Sequence, residues 1–190
     1  LLDFAKKNRV KKFIYASSGG IYGNGSQIFR ENQPIVPPGK LGYYLGSKAC
    51  GEILTQSYTS IFQVVVIRPF FIYGPGQNKE MLIPRLFNSL ASNKIINIQG
   101  KNGIRINPIH VEDASSAVIA ALNTKTSTTF NIAGKDVLNI RKIAESMGFF
   151  LKKKPKFKKI HGPPRDLVAD ISLMSKKLYK RLLSLFDSFN

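Results

Sequence analysis

Residues 10–23 read VKKFIYASSGGIYG, and the fold turns on how this stretch is read. From Phe13 to Ala16 the side chains are apolar without alternation, the pattern of a strand buried on both faces, as in a parallel sheet. The run breaks at Ser17, Ser18, Gly19 and Gly20, residue types that end strands in turns. Just upstream, Leu2, Ala5 and Lys6 have helical spacing, so residues 2–9 read as the end of a helix. A helix feeding a buried strand is half of a βαβ unit.

Working outward, residues 19–39 are rich in Gly, Asn, Pro and Ser and are expected to form a long loop. Residues 43–59, YYLGSKACGEILTQSYT, read as a helix. Residues 63–70, QVVVIRPF, are a second buried strand rich in β-branched side chains, with Pro69 marking its end. A turn is expected at 73–76, a helix at 82–91 and a short strand at 95–99. Residues 104–111 read as extended, edge-like or irregular because of Pro108. A helix is expected at 112–122, a strand at 129–133 stopped by Gly134, and a helix from 140. Residues beyond 151 are less regular until a basic helix begins at Ser172. The alternation predicts an α/β sheet.

The composition sets limits. The chain has 190 residues and 43% hydrophobic content, enough for a packed core. A single cysteine, Cys50, excludes an internal disulfide and suits a reducing, cytoplasmic setting. Val64 to Tyr73 is the most apolar run and is too short and too broken by Arg68 and Pro69 to cross a membrane. The opening residues lack the apolar core of a signal peptide. The formal charge of +18 attracts anions. Its lysines and arginines cluster at 6–12, 152–159 and 176–181, and no paired Cys/His or other nucleic-acid motif accompanies them. A basic anion-binding or nucleic-acid-binding protein therefore stands as a distant alternative, and no metal is expected.

Chemistry concentrates in three blocks. Tyr44, Lys48 and Glu52 are spaced i, i+4, i+8 and share a helix face. A free phenol titrates near pH 10, too high for a base at neutral pH, and a neighbouring ammonium favours the phenolate. The pair can exchange a proton with an alcohol. Ser17 and Ser18 lie where a buried strand ends, the position at which doubly wound sheets bind ligands; Ser18 is the candidate for a hydrogen bond to a substrate oxygen, although a serine there can also simply cap the turn. The block RPFFIYGPG, from Arg68 to Gly76, brings another strand end to the same crevice.

Taken in order, SSGGIYG, YYLGSKACGE and RPFFIYGPGQ resemble the extended short-chain dehydrogenase/reductases, in particular the NAD-dependent epimerase/dehydratase family. The likeness continues through Ile109-His110-Val111-Glu112-Asp113, Phe130-Asn131-Ile132-Ala133-Gly134 and Asp166 to Ser172. It implies an α/β fold, a partial Rossmann-like doubly wound parallel sheet with a small C-terminal α/β substrate-binding lobe, and an NAD-dependent nucleotide-sugar epimerase, with NADP not excluded. Ser18 would polarise the substrate hydroxyl, Tyr44 would take its proton, and Lys48 would bind the nicotinamide ribose and favour the Tyr44 phenolate. Pro69 and Phe70 match positions lining the nicotinamide pocket, while Phe71 and Arg105 fall at or beside substrate-binding positions. Residues 1–74 and 109–133 would belong to the Rossmann-like domain, and 75–108 and 134–190 to a substrate-binding lobe. The resemblance also implies a homodimer through the Tyr44–Lys48 helix, whose Ile53, Leu54 and Tyr58 could equally pack within one chain.

The pattern departs from the family at several points. No glycine-rich strand–turn–helix precedes Val10, so the dinucleotide-binding segment is expected to be missing and the chain by itself to bind NAD poorly. Gly19 and Gly20 stand where family dehydratases carry an Asp-Glu pair, which disfavours water elimination. Phe71 stands where many members have an Asn that touches the nucleotide-sugar phosphate, and Arg105 comes one residue early, which would turn it to the other face of a strand. These two leave open a reductase or dehydrogenase acting on a non-nucleotide alcohol or ketone. After Lys177 a Gly/Pro turn and a final helix would be usual; the sequence instead reads LYKRLLSLFDSFN, the pattern of a truncated or frame-shifted end or of a divergent amphipathic helix.

Overall fold

The computed structural model describes residues 1–162, 165–178 and 182–185. Helix α1 (Leu2–Lys7) leads into strand β1 (Lys12–Ala16). A 3-10 turn at Gly19–Tyr22 and a short strand β2 (Ile28–Phe29) occupy the long loop, and helix α2 runs from Gly42 to Gln56. Strand β3 (Gln63–Pro69), strand β4 (Ile72–Tyr73), helix α3 (Leu82–Ala91) and strand β5 (Ile95–Gln99) follow. Then come β6 (Arg105–Ile106), β7 (Ile109–His110), α4 (Val111–Ala121) and β8 (Thr128–Ile132). The chain continues through β9 (Leu138–Asn139), α5 (Ile140–Phe150), β10 (Lys156–Ile160), β11 (Val168–Ala169) and α6 (Ser172–Lys177). The expected basic helix at the C-terminus is thus seen only as α6, and residues 179–181 and 186–190 lie outside the described residues.

The central sheet is parallel, in the order β1-β3-β8. Strand side chains alternate between faces. Val64 and Val66 therefore pack on one side with Ala5 of α1 and with Phe62 and Tyr58 after α2. Val65 and Ile67 pack on the other side against Ala114, Ala117 and Ala121 of α4. The alanines recur at i, i+3 and i+7, a stripe of small side chains that lets α4 lie close to the strand. Helices on both faces make the sheet doubly wound, as the apolar pattern of β3 requires. β1 is half-buried rather than buried, because it is the edge strand of this sheet and its outer side has no neighbour among the described residues.

A second core lies beneath α3 and α5. Ile83, Leu86 and Leu90 on α3 and Ile140, Ile143, Ala144 and Met147 on α5 fall at helical spacings and close over Ile96 and Ile98 of β5. β5 pairs in parallel with β10, whose lysines 156, 158 and 159 point to solvent while Phe157 packs inward.

The segment expected to be one extended stretch at 104–111 is two strands. β6 pairs antiparallel with β9, and β7 pairs in parallel with β4. The break falls at Asn107 and Pro108, where proline has no N–H for a ladder. Asn107 is buried, and its side chain takes over as a junction. Its amide nitrogen donates to the carbonyls of Gly134 (3.2 Å) and Ala169 (3.0 Å), and its oxygen accepts from Ala169 N (3.0 Å).

β11 sits on β2 and is anchored by Asp170, which accepts hydrogen bonds from Ser172 N (2.8 Å) and Arg30 Nε (3.0 Å). The Ser172 hydrogen bonds, followed by Arg30, hold the Asp170 carboxyl below the ordinary aspartate range. A depressed folded-state value contributes stability above the unfolded value, near pH 4, that is lost as pH falls through the folded one. Thermal melts between pH 6 and pH 3 are expected to show a shallower acid limb for Asp170→Asn; an unchanged slope would remove Asp170 from the acid response.

Candidate active site

Register places the site. Ala16 pairs with Ile67, and Ser17 N donates to Ile67 O (2.8 Å), so Ser17 and Ser18 emerge level with the last residues of β3. Pro69 pairs with Ile132, which brings the end of β8 to the same rim. Ser18 is extended, and its Oγ accepts from Gly20 N (3.2 Å), starting the 3-10 turn. The serine does cap its turn. Because the hydroxyl accepts there, its own proton remains to be donated.

Helix α2 carries Tyr44 and Lys48 over this rim. Lys48 Nζ donates to Ala16 O (2.9 Å) at the end of β1 and lies 5.9 Å from the Tyr44 ring centre. Tyr15 of β1 donates through its hydroxyl to Lys48 O (3.2 Å). The contact is close: a Cβ at Gly51 would lie 2.2 Å from the Tyr15 oxygen, so residue 51 has no room for a side chain.

The rotation of α2 is fixed by Glu52, one turn beyond Lys48. Glu52 is buried and paired with Arg68 of β3, whose Nε donates to Glu52 Oε2 (3.2 Å) and whose NH2 donates to Oε1. Arg68 NH1 also donates to the Tyr22 hydroxyl and to Glu31 O (3.2 Å). Burial opposes the Arg68 charge, but its hydrogen bonds to Glu52 and Tyr22 and the Glu52 carboxylate charge more than offset this and raise its pKa. Burial likewise pushes the Tyr22 phenol up, against the pull of Arg68, so it stays neutral and donates to Asn131 Oδ1 (3.0 Å).

Between these elements is a cavity of about 500 Å³. Ser18, Tyr44, Lys48, Pro69, Phe70 and Phe71 all line it. Phe70 is buried, and Tyr44 is 61% exposed on the open side. Arg105 does not line the cavity. Its Nε donates to Asp166 Oδ2 (2.7 Å) and its Nη2 to Ser26 O (3.2 Å), at a half-exposed position.

Two polar lining residues, Ser17 and Gln77, were not among the sequence candidates for the site. Among the described residues, Ser17 Oγ and Gln77 Oε1 are the buried side-chain polar atoms without a hydrogen-bond partner; both residues line the cavity, and both atoms are shielded from solvent. Ser17 was legible as a strand-end hydroxyl beside Ser18. Gln77 carries no signal beyond following Gly74-Pro75-Gly76. The Arg68–Glu52 clamp had a signal in an arginine inside an apolar strand and an acid on the face of Lys48.

The sequence profile of the NAD dependent epimerase/dehydratase family matches residues 1–133. The chain belongs to that family. This epimerase/dehydratase chain is 32% identical over 158 residues to dTDP-D-glucose 4,6-dehydratase of Dictyostelium discoideum, covering 72% of this chain and 36% of the relative. It is 29% identical over 184 residues to UDP-glucuronate 4-epimerase of Thermodesulfobacterium geofontis, covering 94% of this chain and 56% of the relative. Among solved structures, UDP-glucuronic acid 4-epimerase from Bacillus cereus in complex with NAD superposes with a TM-score of 0.86 at 28% identity, covering 100% of this chain and 60% of that one. The family chain therefore spans between about a third and three fifths of the length of these relatives.

Within this family chain, the glycine pair after Ser18 is enforced by packing. A Cβ at Gly19 would lie 2.4 Å from the Phe70 ring, and one at Gly20 would lie 2.8 Å from Leu45. An Asp-Glu pair does not fit at these places without moving both neighbours. No helix among the described residues is long and apolar enough to cross a membrane.

Proposed function

We propose that the protein containing this chain is an NAD-dependent nucleotide-sugar 4-epimerase, and that this chain supplies its proton-transfer centre and substrate lobe. The reading rests on one observation: the Ser18 hydroxyl, the Tyr44 phenol and the Lys48 ammonium line a single cavity at the rim of the parallel sheet. Residues 1–74 and 109–133 form the Rossmann-like part in this reading, and 75–108 and 134–190 form the substrate lobe.

The nicotinamide end of NAD fits the residues present. Lys48 lines the cavity that Pro69 and Phe70 wall. Lys48 uses one of its three N–H donors on Ala16 O, which leaves two for a ribose and for Tyr44. The pyrophosphate end has no such holder after β1, which runs into a 3-10 turn instead of an α-helix. The 190-residue chain alone is accordingly expected to bind NAD weakly by calorimetry, and tight binding would contradict this division of labour. When bound, NAD supplies a hydride acceptor and donor.

The chain's own groups manage the proton. Ser18 donates to the oxygen on the reacting carbon of the sugar. Tyr44 takes the hydroxyl proton as that carbon loses hydride and becomes a ketone. The Lys48 charge stabilises the phenolate form of Tyr44 that accepts this proton and so becomes the phenol. When hydride returns to the other face of the ketone, Tyr44 gives the proton back. The glycine pair leaves no acid or base for eliminating water, which favours epimerase over dehydratase chemistry.

The test uses the full-length protein supplied with NAD and UDP-glucose. Proton NMR is expected to show UDP-galactose accumulating to equilibrium; no interconversion of either sugar would overturn the proposal. The commitment of Arg105 to Asp166 and the aromatic Phe71 favour one second reading, a reductase of a non-nucleotide ketone, for which NADH- or NADPH-dependent reduction without epimerisation is the signature.

Two further parts belong to this proposal. After α2, Tyr58 stacks on Phe62 within the chain, whereas Ile53 and Leu54 on α2 are exposed, so a second copy is the occupant proposed for that face. Sedimentation of the full-length protein is expected to give a dimer, and a monomer at micromolar concentration would exclude it. A cytoplasmic location suits the unpaired, exposed Cys50.

A further inference from the structure

Two consecutive residues of β1 grip Lys48. Its ammonium donates to Ala16 O at 2.9 Å, and the Tyr15 hydroxyl donates to the Lys48 carbonyl at 3.2 Å. The Tyr15 ring also lies beside the ammonium, its centre 5.8 Å from Nζ. The Tyr44 ring centre is 5.9 Å from the same nitrogen. The charge thus has an aromatic ring from β1, an aromatic ring from α2 and one carbonyl around it. Both ring distances fall inside the roughly 6 Å within which a ring attracts a cation.

The two tyrosines are not equivalent. Tyr44 lines the cavity, whereas Tyr15 packs against Val64 and Val66 on the face of the sheet that meets α1. Burial, then the charge of Glu52 and the neighbouring Tyr44 and Cys50, push the Tyr15 phenol up from its ordinary value. It stays neutral, and its one proton is committed to Lys48 O. Of the two phenols beside the ammonium, Tyr15 is therefore the one unsuited to act as base. Glu52, the carboxylate among these neighbours, is bound by Arg68 of β3. The seat of the Tyr15 ring exists because residue 51 is glycine: a Cβ there would lie 2.7 Å from the ring carbon that bears the hydroxyl. Glycine weakens a helix interior relative to alanine, and here it makes room for the phenol.

We infer that Tyr15 is a positioning residue whose ring holds the Lys48 ammonium beside Tyr44. It acts through Lys48 rather than on the substrate. The inference rests on the epimerase reading and adds to it what keeps the cation in place. Without the ring, the ammonium keeps the Ala16 carbonyl but is free to swing about it, away from Tyr44. A phenolate with less support from a cation takes up a proton from water at higher pH.

The experiment follows epimerisation of UDP-glucose by the full-length, NAD-supplied protein as a function of pH, for the wild type, Tyr15→Phe, Tyr15→Leu and Gly51→Ala. Tyr15→Leu is expected to lower kcat on the acid side about two- to fivefold, the worth of one cation–π contact at a partly exposed site. That moves the acid limb up by about half a pH unit while the plateau and the KM for UDP-glucose change little. Tyr15→Phe keeps the ring and is expected to keep the wild-type profile. Gly51→Ala drives the phenol from its seat without altering the cavity's side chains and is expected to reproduce the shift, which keeps the test open if Tyr15→Leu does not fold. An acid limb that stays in place in folded Tyr15→Leu or Gly51→Ala protein, even with kcat lowered evenly at every pH, overturns the inference and leaves the epimerase reading standing. Equal shifts in Tyr15→Phe and Tyr15→Leu also overturn it, by assigning the work to the hydroxyl. A wild type that does not interconvert the two sugars at any pH overturns both.

Discussion

Replacing Tyr44 by phenylalanine is expected to lower turnover of the full-length protein by about 10²–10⁴-fold, the usual worth of a positioned proton-transfer group. The ring is retained and only the hydroxyl goes. Tyr44 is 61% exposed, and its hydroxyl makes none of the hydrogen bonds that tie α2 to the sheet, which run through Lys48, Tyr15, Glu52 and Arg68. The melting temperature should therefore hold while kcat collapses and KM moves little. Steady-state kinetics beside a thermal melt separates the outcomes: a loss within threefold would remove Tyr44 from the chemistry, and a matching fall in stability would make it structural.

Removing one partner of the buried Arg68–Glu52 pair is expected to cost about 3–5 kcal/mol of folding stability, a large share of the roughly 5–15 kcal/mol of a typical domain. Glu52→Leu leaves a guanidinium buried with the neutral Tyr22 hydroxyl and a backbone carbonyl as its partners. Arg68→Met leaves a carboxylate that keeps a hydrogen bond from Gln56 Nε2 (3.4 Å) and no cation. The double variant, with two apolar side chains of fitting volume, is expected to recover much of the loss, because neither charge is then stranded. Urea melts of the four proteins test this as a cycle. Additive losses would show that the two residues act separately. In the active protein the single variants should also disturb catalysis beyond their stability cost, because the pair sets the rotation of the helix that carries Tyr44 and Lys48.

The sheet was legible because burial leaves its mark on sequence. Val64 to Ile67 is apolar without interruption, and the structure shows why: even-numbered residues face α1 and α2, and odd-numbered ones face α4. Helices α3 and α5 were legible from their apolar stripes. Part of the cavity's lining was legible because strand ends and one helix face carry Ser18, Tyr44, Lys48, Pro69, Phe70 and Phe71 to one place. What stayed hidden depends on side-chain hydrogen bonds between segments far apart in the chain. Asn107 splits an extended stretch into two strands by bonding Gly134 and Ala169, and nothing in the stretch itself signals those partners. Arg105 looked like a substrate ligand, yet Asp166, sixty-one positions away, takes it. Gln77 looked like an ordinary loop residue, yet it lines the cavity.

The most direct test of the account follows one hydrogen. UDP-glucose carrying deuterium on carbon 4 is converted by the NAD-supplied, full-length protein, and the product is read by NMR. Return of hydride to the carbon it left predicts UDP-galactose with the deuterium still on carbon 4. Deuterium lost to water, or moved to carbon 6 with loss of water, would contradict the assignment of this cavity to epimerisation.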